Sequence, residues 1–371
     1  MKADAIIIGG GLMGSSTALQ LAMRGLKCVV LDRESPGRHA SGVNAGGLRR
    51  LNRHPAEIPL SVAAAKIWHS IRDLLGSDCE TRFPGQIRVA ENAADMDALE
   101  QRARLVGTLG YTHEEIIDRA ELFRLVPALS PHCIGGLICR GDGYGQPFQA
   151  LTAFRYKAGA LGVDFRIGAR VDAIDNTGKA WRVQTPRGSF KAPVLINCAG
   201  AWSHLVSGTL GEPVPLQPGA PMMMVTERLP RFIEPVLGAA GRKLSFKQMP
   251  NGTLLIGGAH MARLDFSHAH TEIEWRKMAV SARSVLALFP QLEDVRIVRT
   301  WAGVEAFTPD KLPVIGPGRA HGVYHAFGFS AHGFQLSPIV GRVLAELIVD
   351  GESSLPLDAF RIDRFSADDP Q

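Results

Sequence analysis

The stretch DAIIIGGGLMGSSTALQLAMRG near the start of the chain constrains the fold more than any other. An apolar run that ends at glycine predicts a β-strand, and the residues after the glycines predict a helix. Gly9, Gly11 and Gly14 form a G-x-G-x-x-G motif between them, which permits a tight turn, close approach of a pyrophosphate and helix–strand packing. The next apolar run, CVVLDRE, contains Asp32, which is placed to accept hydrogen bonds from a ribose. We therefore predict a Rossmann-like dinucleotide site, although the glycines do not distinguish NAD from FAD.

The composition of the chain argues against several kinds of protein, including nucleic-acid-binding, metal-binding and membrane proteins. The 371 residues are enough for a sizeable core in one large domain or two interlocked ones. A net charge of +5 is spread along the chain without a basic block, so we expect no nucleic-acid partner. The five cysteines are scattered with no Cys-x-x-Cys pair, which predicts free thiols and no metal site. The glycines in the apolar start argue against a signal peptide or a transmembrane segment, so we expect a cytoplasmic protein.

Four further stretches resemble the D-amino-acid oxidase type of flavoenzymes, which includes glycine oxidase, sarcosine oxidase and the D-amino-acid dehydrogenases. They are ASGVNAGGLRR (40–50), INCAGAWS (196–203), WAGVEAFTPDKLPVIGP (301–317) and GFSAHGFQLSPIVGRVLAELI (328–348). They follow the order of that family along nearly the whole chain. The resemblance implies an enzyme that uses FAD and oxidises the carbon–nitrogen bond of an amine or amino acid by hydride transfer to flavin N5.

The resemblance also implies the fold class and the domain organisation. We expect an α/β fold in which a Rossmann-like FAD-binding domain is interleaved with an α+β substrate domain built on an antiparallel sheet. Residues 1–80, 150–210 and 310–371 would form the FAD-binding domain, and residues 81–149 and 211–309 the substrate domain. The substrate would then lie between the antiparallel sheet and the flavin ring.

The FAD contacts follow from the family, motif by motif. They are Gly9, Gly11, Leu12, Met13, Gly14, Asp32 and Arg33 in the first unit, Ser41, Gly42, Asn44, Ala45, Gly46, Gly47 and Leu48 in the next loop, then Val171, Ala199, Gly200, Trp202 and Gly303, and finally Gly333, Phe334, Gln335 and Leu336. The last four open a predicted helix, whose N-terminal N–H groups would face the flavin pyrimidine ring. The alternative there is an ordinary loop that leads into a surface helix.

The attachment of the flavin follows from a difference within the family. Monomeric sarcosine oxidase bonds its flavin to a cysteine just before its TPD motif. Here Ala306 and Phe307 precede Thr308, so we expect the FAD to be non-covalent.

Glu305 is the candidate group for substrate chemistry. Glycine oxidase and D-arginine dehydrogenase have a carboxylate-clamping arginine where WAGVE places Glu305. A carboxylate does not clamp a carboxylate, so our hypothesis is that Glu305 faces a cationic or secondary amine group of the substrate. The alternative is a structural glutamate near the flavin. A lysine that lies over the flavin in monomeric sarcosine oxidase aligns with Leu255, and a carboxylate-clamping lysine aligns with Gln335.

The carboxylate partner is then expected from GGLRRLNRH, which supplies Arg49, Arg50 and Arg53. A guanidinium fork suits bidentate carboxylate binding, and we favour Arg49 and Arg50 together. The alternative for each is a surface or flavin-loop arginine. His54, His260 and His332 also lie in cleft segments, although a structural histidine is the alternative for each.

Within the family, the motifs look most like the FAD-carrying β subunits of opine oxidases and D-hydroxyproline dehydrogenases. This implies oxidation of an opine or a D-hydroxyproline-like amine, with electrons passed to an α subunit and in some cases a small iron–sulfur subunit. FMN and an iron–sulfur centre would then belong in or at those partners. Two alternatives stay open: a stand-alone glycine, sarcosine or D-amino-acid oxidase that produces hydrogen peroxide, and a non-catalytic flavin-binding subunit.

Overall fold

The computed structural model describes residues 3–365, so residues 1–2 and 366–371 of the predicted FAD-binding segments lie outside the described part. The strands are β1 (Ala5–Ile8), β2 (Cys28–Asp32), β3 (Gly47–Leu48), β4 (Gln86–Ala90), β5 (Glu115–Asp118), β6 (Gly135–Cys139), β7 (Gly143–Tyr144), β8 (Asp164–Ile167), β9 (Ala173–Asn176), β10 (Trp181–Thr185), β11 (Gly188–Ala192), β12 (Val194–Asn197), β13 (Gln217–Gly219), β14 (Pro221–Arg228), β15 (Val236–Ala239), β16 (Ser245–Gln248), β17 (Thr253–Met261), β18 (Arg263–Asp265), β19 (His270–Glu272), β20 (Ile297–Ala302), β21 (Glu305–Phe307), β22 (Val314–Pro317) and β23 (Val323–Phe327). The α-helices are α1 (Leu12–Met23), α2 (Ala40–Val43), α3 (Ile58–His69), α4 (Ile71–Leu75), α5 (Ala93–Thr108), α6 (Arg119–Leu125), α7 (Pro147–Ala160), α8 (Ser203–Thr209), α9 (Trp275–Leu288) and α10 (Gly333–Val349).

The first layer is a six-stranded sheet in the order β22-β23-β12-β1-β2-β8. The neighbours from β23 to β8 run parallel, and β22 is antiparallel to β23. All four residues of β1 are buried, as expected for a central parallel strand covered on both faces. Ile7 and Val30 point toward α1, α7 and α10, whereas Ile6 and Val29 point toward the β9–β11 meander. This layer is a Rossmann-like sheet with helices on one face.

The segment FRIGARVDAI contributes to two sheets instead of one. Its first part, β8, pairs in parallel with β2, and its second part, β9, belongs to the three-stranded antiparallel meander β11-β10-β9. Gly168 separates the two at a φ of +71°, a conformation that breaks an extended strand and favours glycine. The three-stranded meander therefore begins after Gly168, at Ala173.

The second layer is an eight-stranded sheet in the order β20-β14-β17-β16-β15-β4-β6-β5. It is antiparallel except for β15 and β4, which run parallel. Residues alternate across it, so that one face packs Ile87, Phe246 and Ile256 into a core with α9. The methionine run of β14 is buried, with Met222 and Met224 in the same core. The opposite face is left free to border a cavity.

The chain passes between the two layers more than once. Strands of the six-stranded sheet come from 5–32, 164–197 and 314–327, while those of the eight-stranded sheet come from 86–139 and 221–302. The protein is therefore an α/β fold in which a Rossmann-like unit and a largely antiparallel sheet unit are interleaved. Within residues 3–365, no helix combines the length and the apolar character needed to cross a membrane.

Candidate functional site

A cavity of about 1110 Å³ lies where the two sheets meet. Its wall includes the turn after β1, the loop around α2, the free face of the eight-stranded sheet and the segment that leads into α10. Ligand cavities are typically about 300–1,000 Å³, so this one is large enough for a dinucleotide together with a small substrate.

The glycine motif forms one end of this cavity. Gly9 has a φ of +103°, and a Cβ there would lie 2.3 Å from the carbonyl oxygen of Cys198. Gly11 is the N-cap of α1, and no side chain caps the helix from that position. A Cβ on Gly11 would lie 2.7 Å from Ser41 Oγ, which accepts a hydrogen bond from the Leu12 N–H at 3.0 Å. Only glycine leaves this turn open, so the end of the cavity has the cradle and the helix N-terminus that a pyrophosphate requires.

Asp32 lies at the end of β2 and borders the same end of the cavity. Its carboxylate accepts the N–H of Gly10 at 2.8 Å and the N–H of Glu34 at 3.0 Å. Burial raises the pKa of Asp32, and these two N–H groups oppose the rise. The carboxylate is thus held in a fixed position beside the glycine turn, where a ribose would lie.

Most of the predicted FAD contacts border the cavity. They are Gly9, Gly11, Leu12, Met13, Asp32, Arg33, Ser41, Asn44, Ala45, Gly46, Gly47, Val171, Ala199, Gly200, Trp202, Gly303, Gly333 and Phe334. The rest lie behind the wall: Gly14, Gly42, Leu48, Gln335 and Leu336. Gly14 is needed for packing, because a Cβ there would lie 1.9 Å from the carbonyl oxygen of Gly9. Gly42 is crowded in the same way, by the carbonyl oxygen of Gly37.

The N-terminus of α10 borders the other part of the cavity. Gly333 and Phe334 open this 17-residue helix, and no side chain caps it at His332. Gln335 points away into the protein, where its Nε2 donates to the carbonyl oxygen of Ser61 at 2.7 Å. Leu336 is fully buried. The start of the helix therefore borders the cavity without a side-chain cap, and two of its four predicted donors, Gly333 and Phe334, lie in the cavity wall.

The two favoured arginines point to opposite sides of one extended segment. Arg49 borders the cavity, and its Nη1 donates only to the backbone carbonyls of Leu51 and Asn52. Arg50 does not border it, because its Nε is bonded at 3.0 Å to the buried carboxylate of Asp142. The structure thus separates the pair: Arg49 is available to a ligand, and Arg50 holds Asp142.

Arg49 is an unpaired cation. Among residues 3–365, no carboxylate lies within 4.0 Å of its guanidinium. Burial and the nearby charges of Arg53 and Arg88 lower the pKa of Arg49 to about 9. A partly buried guanidinium bonded only to backbone carbonyls is expected to bind an anion from the cavity.

Arg53, the third candidate, also borders the cavity, but it is held in a buried network. It is 2% exposed, its Nε donates to the carbonyl oxygen of Arg49, and its Nη1 lies 3.9 Å from Glu57. Glu57 also pairs with His332 Nδ1 at 3.0 Å. Burial and the charge of Arg53 lower the pKa of His332 to about 4, although Glu57 opposes the shift. The network fixes the backbone of Arg49 and keeps His332 neutral at the cavity wall.

Glu305 borders the cavity with one carboxylate oxygen engaged. Its Oε1 accepts the N–H of Ala331 at 3.0 Å, and no cation of the described chain lies within ion-pair distance. Burial raises the pKa of Glu305 to about 7, and the Ala331 N–H opposes this rise. The carboxyl group can therefore gain or lose a proton near neutral pH.

Two predicted substrate contacts, Leu255 and His260, do not border the cavity. Leu255 lies on the cavity-facing side of β17 but beyond the cavity edge, where its register partner on β16 is Lys247. Lys247 itself borders the cavity. His260, near the end of β17, lies outside the wall beside Lys243 and Lys277, whose charges contribute to its lowered pKa.

Sequence reasoning missed several charged residues of the cavity wall: Glu34, Arg38, Arg88, Arg170, Arg242, Lys243 and Lys247. Arg88 and Lys247 lie in strands of the eight-stranded sheet, and a charged residue within a largely buried strand was the available signal. Arg49, Arg88 and Lys247 place three cations in the wall of the cavity, and Glu305 places one carboxyl there. These groups can bind an anionic substrate and exchange a proton with it.

Comparison with known proteins agrees with this geometry. Residues 4–347 match the family described as FAD dependent oxidoreductase (DAO). The chain is 29% identical to hydrogen cyanide synthase subunit HcnC of Pseudomonas aeruginosa, over 96% of this chain and 94% of that protein. It is 26% identical to the B subunit of opine oxidase from Rhizobium meliloti, over 99% and 98% of the two chains. The crystal structure of L-proline dehydrogenase from P. horikoshii superposes with a TM-score of 0.91, at 24% identity over 98% of each chain.

Proposed function

Because the chain belongs to the DAO family of FAD-dependent oxidoreductases that act on amines and amino acids, we propose that it oxidises the carbon–nitrogen bond of a secondary amine that carries a carboxylate. Substrates of this class include opines and D-hydroxyproline-like compounds. The proposal rests on one observation: an unpaired cation, Arg49, and an unpaired carboxyl, Glu305, border the same cavity as the dinucleotide cradle.

The residues present fit FAD. The open turn at Gly9 and Gly11 and the N-terminus of α1 would hold the pyrophosphate, and Asp32 would hold the adenosine ribose. The N-terminus of α10 would support the ring end of the cofactor. Bound FAD supplies a two-electron acceptor, which none of the protein side chains offers.

Arg49 would orient the substrate by its carboxylate. The guanidinium keeps donors free for a planar anion because its known partners are two backbone carbonyls on one side. The hydrogen bond from Arg53 to the carbonyl oxygen of Arg49 fixes the backbone from which the side chain extends. A fixed arginine restricts the positions that the substrate nitrogen can take. Such orientation of the reactants accounts for a large part of the rate enhancement at a site of this kind.

Glu305 would hold the substrate amine. Its Oε1 is engaged by the N–H of Ala331, which leaves Oε2 to accept from the substrate nitrogen. With a pKa of about 7, the carboxylate can take the proton of a substrate ammonium group at Oε2 near neutral pH. The substrate is then present as the neutral amine, the form from which oxidation proceeds.

We also propose that electrons leave through a partner subunit. Two of the matched relatives, HcnC and the opine oxidase chain, are named as subunits. The five cysteines of this chain are free and buried, so an iron–sulfur centre would belong to another chain. An α subunit and a small iron–sulfur subunit are the partners that this arrangement would require.

Anaerobic mixing of the FAD-loaded protein with a panel of amines tests the proposal. The panel contains secondary amines, namely an N-(1-carboxyethyl) amino acid, D-hydroxyproline and sarcosine, and primary amines, namely glycine and a D-amino acid. We expect the secondary amines to bleach the flavin, and reoxidation to be faster with an artificial dye than with air. Stoichiometric hydrogen peroxide would identify a stand-alone oxidase instead, and a flavin that no amine bleaches would contradict the enzymatic role.

The variant Glu305→Gln tests the carboxyl group alone, because glutamine keeps the size of the side chain and so the shape of the cavity. We expect the variant to retain FAD and to lose about tenfold or more in kcat/KM, because glutamine cannot take the ammonium proton. Unchanged kinetics would assign Glu305 a structural role near the flavin.

A further inference from the structure

The free face of the eight-stranded sheet carries two cations into the cavity. Strand β15 separates β4 from β16, and its Gly238 pairs with Arg88 while its Leu237 pairs with Phe246. Side chains alternate between faces, so Arg88 and Lys247 lie on the same face. Both border the cavity. Their strands are about 10 Å apart, because adjacent strands lie about 4.8 Å apart.

Lys247 is a buried amine without an anion. It is 4% exposed, and its Nζ donates to the carbonyl oxygen of Ala45 and lies 4.6 Å from the centre of the Tyr144 ring. In the part of the chain that the structure describes, no carboxylate lies within 4.0 Å of it. Burial alone lowers the pKa of Lys247 to about 7. A buried ammonium is costly unless it is paired, so its position at a cavity indicates an anionic ligand.

Arg88, like Lys247, is hydrogen-bonded to backbone carbonyls and, among the described residues, not to a carboxylate. Its Nη2 donates to the backbone carbonyls of Ala239 and Ala240 at 2.9 and 3.1 Å. Burial lowers the pKa of Arg88, and the charges of Glu114 and Asp95 oppose this shift, although neither carboxylate lies within the 4.0 Å of an ion pair. Its charge also contributes to the lowered pKa of Arg49, so the two guanidinium groups are close enough to repel each other. An anion between them would relieve this repulsion.

The cations reach the cavity from separate places. Arg88 and Lys247 extend from two strands that β15 separates, and Arg49 lies in the segment after β3, where the charge of Arg88 contributes to its lowered pKa. On β15, which separates the two strands, Gly238 lies beside Arg88 and Val236 beside Lys247, and both border the cavity. The cavity wall therefore offers two anion-binding points, Arg88 with Arg49 at one and Lys247 at the other, and one carboxyl, Glu305.

We propose that the substrate carries two carboxylates, one on each carbon attached to its secondary amine nitrogen. Arg49 and Arg88 bind one carboxylate, Lys247 binds the other, and Glu305 takes the amine. Lys247 is then a specificity-determining residue. A substrate with one carboxylate would leave a buried cation without a partner. This inference rests on the proposed function and selects, among secondary amines, the N-carboxyalkyl amino acids over cyclic and N-methyl amino acids.

The test compares matched substrates that differ in one carboxylate. Iminodiacetate and N-ethylglycine form one pair, and N-(1-carboxyethyl)alanine and N-isopropylalanine form another. The rate of anaerobic flavin reduction is measured against substrate concentration for the wild-type holoenzyme and for Lys247→Met. Lys191→Met, which changes an exposed lysine on β11, is the matched control. Flavin content and thermal midpoint establish that each variant is folded.

We expect the wild type and the control to prefer the diacid of each pair by about 30-fold or more, since truncating one partner of a buried charge pair has an effect of this size. Lys247→Met should lose this preference, because the second carboxylate of the diacid no longer meets a buried cation. Lys247→Gln, which keeps a polar head without the charge, should lose the preference as well, and this keeps the test valid if Lys247→Met does not fold. Arg88→Met should lower kcat/KM for both members of each pair, because monoacid and diacid both use that carboxylate point.

Binding of unreactive acids gives a second readout. Succinate should perturb the flavin absorbance of the wild type at lower concentration than butyrate, and Lys247→Met should abolish the difference. An unchanged diacid-to-monoacid ratio in Lys247→Met, or an equal fall with both substrates, would overturn the inference and leave the proposed function standing. If neither class reduces the wild-type flavin, the proposed function fails and this inference with it.

Discussion

Replacing Glu305 by glutamine should stabilise the protein at alkaline pH and leave its stability unchanged at acid pH. Burial raises the pKa of Glu305 from 4.5 to about 7. The folded chain therefore binds this proton more tightly than the unfolded chain, and the free energy of unfolding falls as pH rises between these two values. At about 1.4 kcal/mol per pH unit, the loss reaches about 3 kcal/mol above pH 7. Glutamine has no charge to bury and keeps an acceptor for the Ala331 N–H.

The assay is denaturant unfolding of the FAD-loaded wild type and variant in a series of buffers from about pH 5 to about pH 8. The two stabilities should nearly coincide at the acid end and differ by about 3 kcal/mol at the alkaline end, with the variant the more stable. Glu293→Gln, which changes an exposed carboxyl, should follow the wild type throughout. A constant offset, or a more stable wild type at about pH 8, would refute the reasoning, because it would mean that a cation neutralises Glu305.

The adjacent arginines and two glycines give further predictions. Arg49→Met should raise KM by about 100-fold with little change in stability. Arg50→Met should instead destabilise the protein by about 3 kcal/mol, because it leaves the buried carboxylate of Asp142 unpaired. Steady-state kinetics and denaturant unfolding measure the two effects, and equal KM changes in the two variants would contradict the assignment. Gly9→Ala should abolish FAD binding in a titration, because its Cβ would meet the carbonyl oxygen of Cys198 at 2.3 Å. Gly25→Ala, also at positive φ but with nothing within 4 Å, should lose about 1 kcal/mol of stability and bind FAD normally.

The local features of the fold were predictable from the sequence. The fold class and the FAD family are confirmed because the signals that carry them, strand, glycine turn and helix, are contiguous in the chain. The break at Gly168 was harder to predict, since an extended strand and a strand interrupted by one positive-φ glycine have the same apolar pattern.

The charged end of the cavity was less predictable. Arg49 and Arg50 are adjacent, and only Asp142, which lies far away in sequence, shows which of them is already paired. Lys247 was missed for a related reason. Alignment with a relative pointed to Leu255, but in the structure the lysine lies directly across from it on the neighbouring strand. Which strands are neighbours is a tertiary property that a single sequence does not reveal.

The proposed chemistry is tested most directly by adding a secondary-amine amino acid, and separately its primary-amine parent, to the FAD-loaded protein without oxygen. The yellow flavin absorbance is followed. We expect rapid bleaching by the secondary amine, slower bleaching by the parent, and a rate with the secondary amine that falls about tenfold or more in Glu305→Gln. A flavin that stays oxidised with every secondary amine tried would contradict the proposed chemistry.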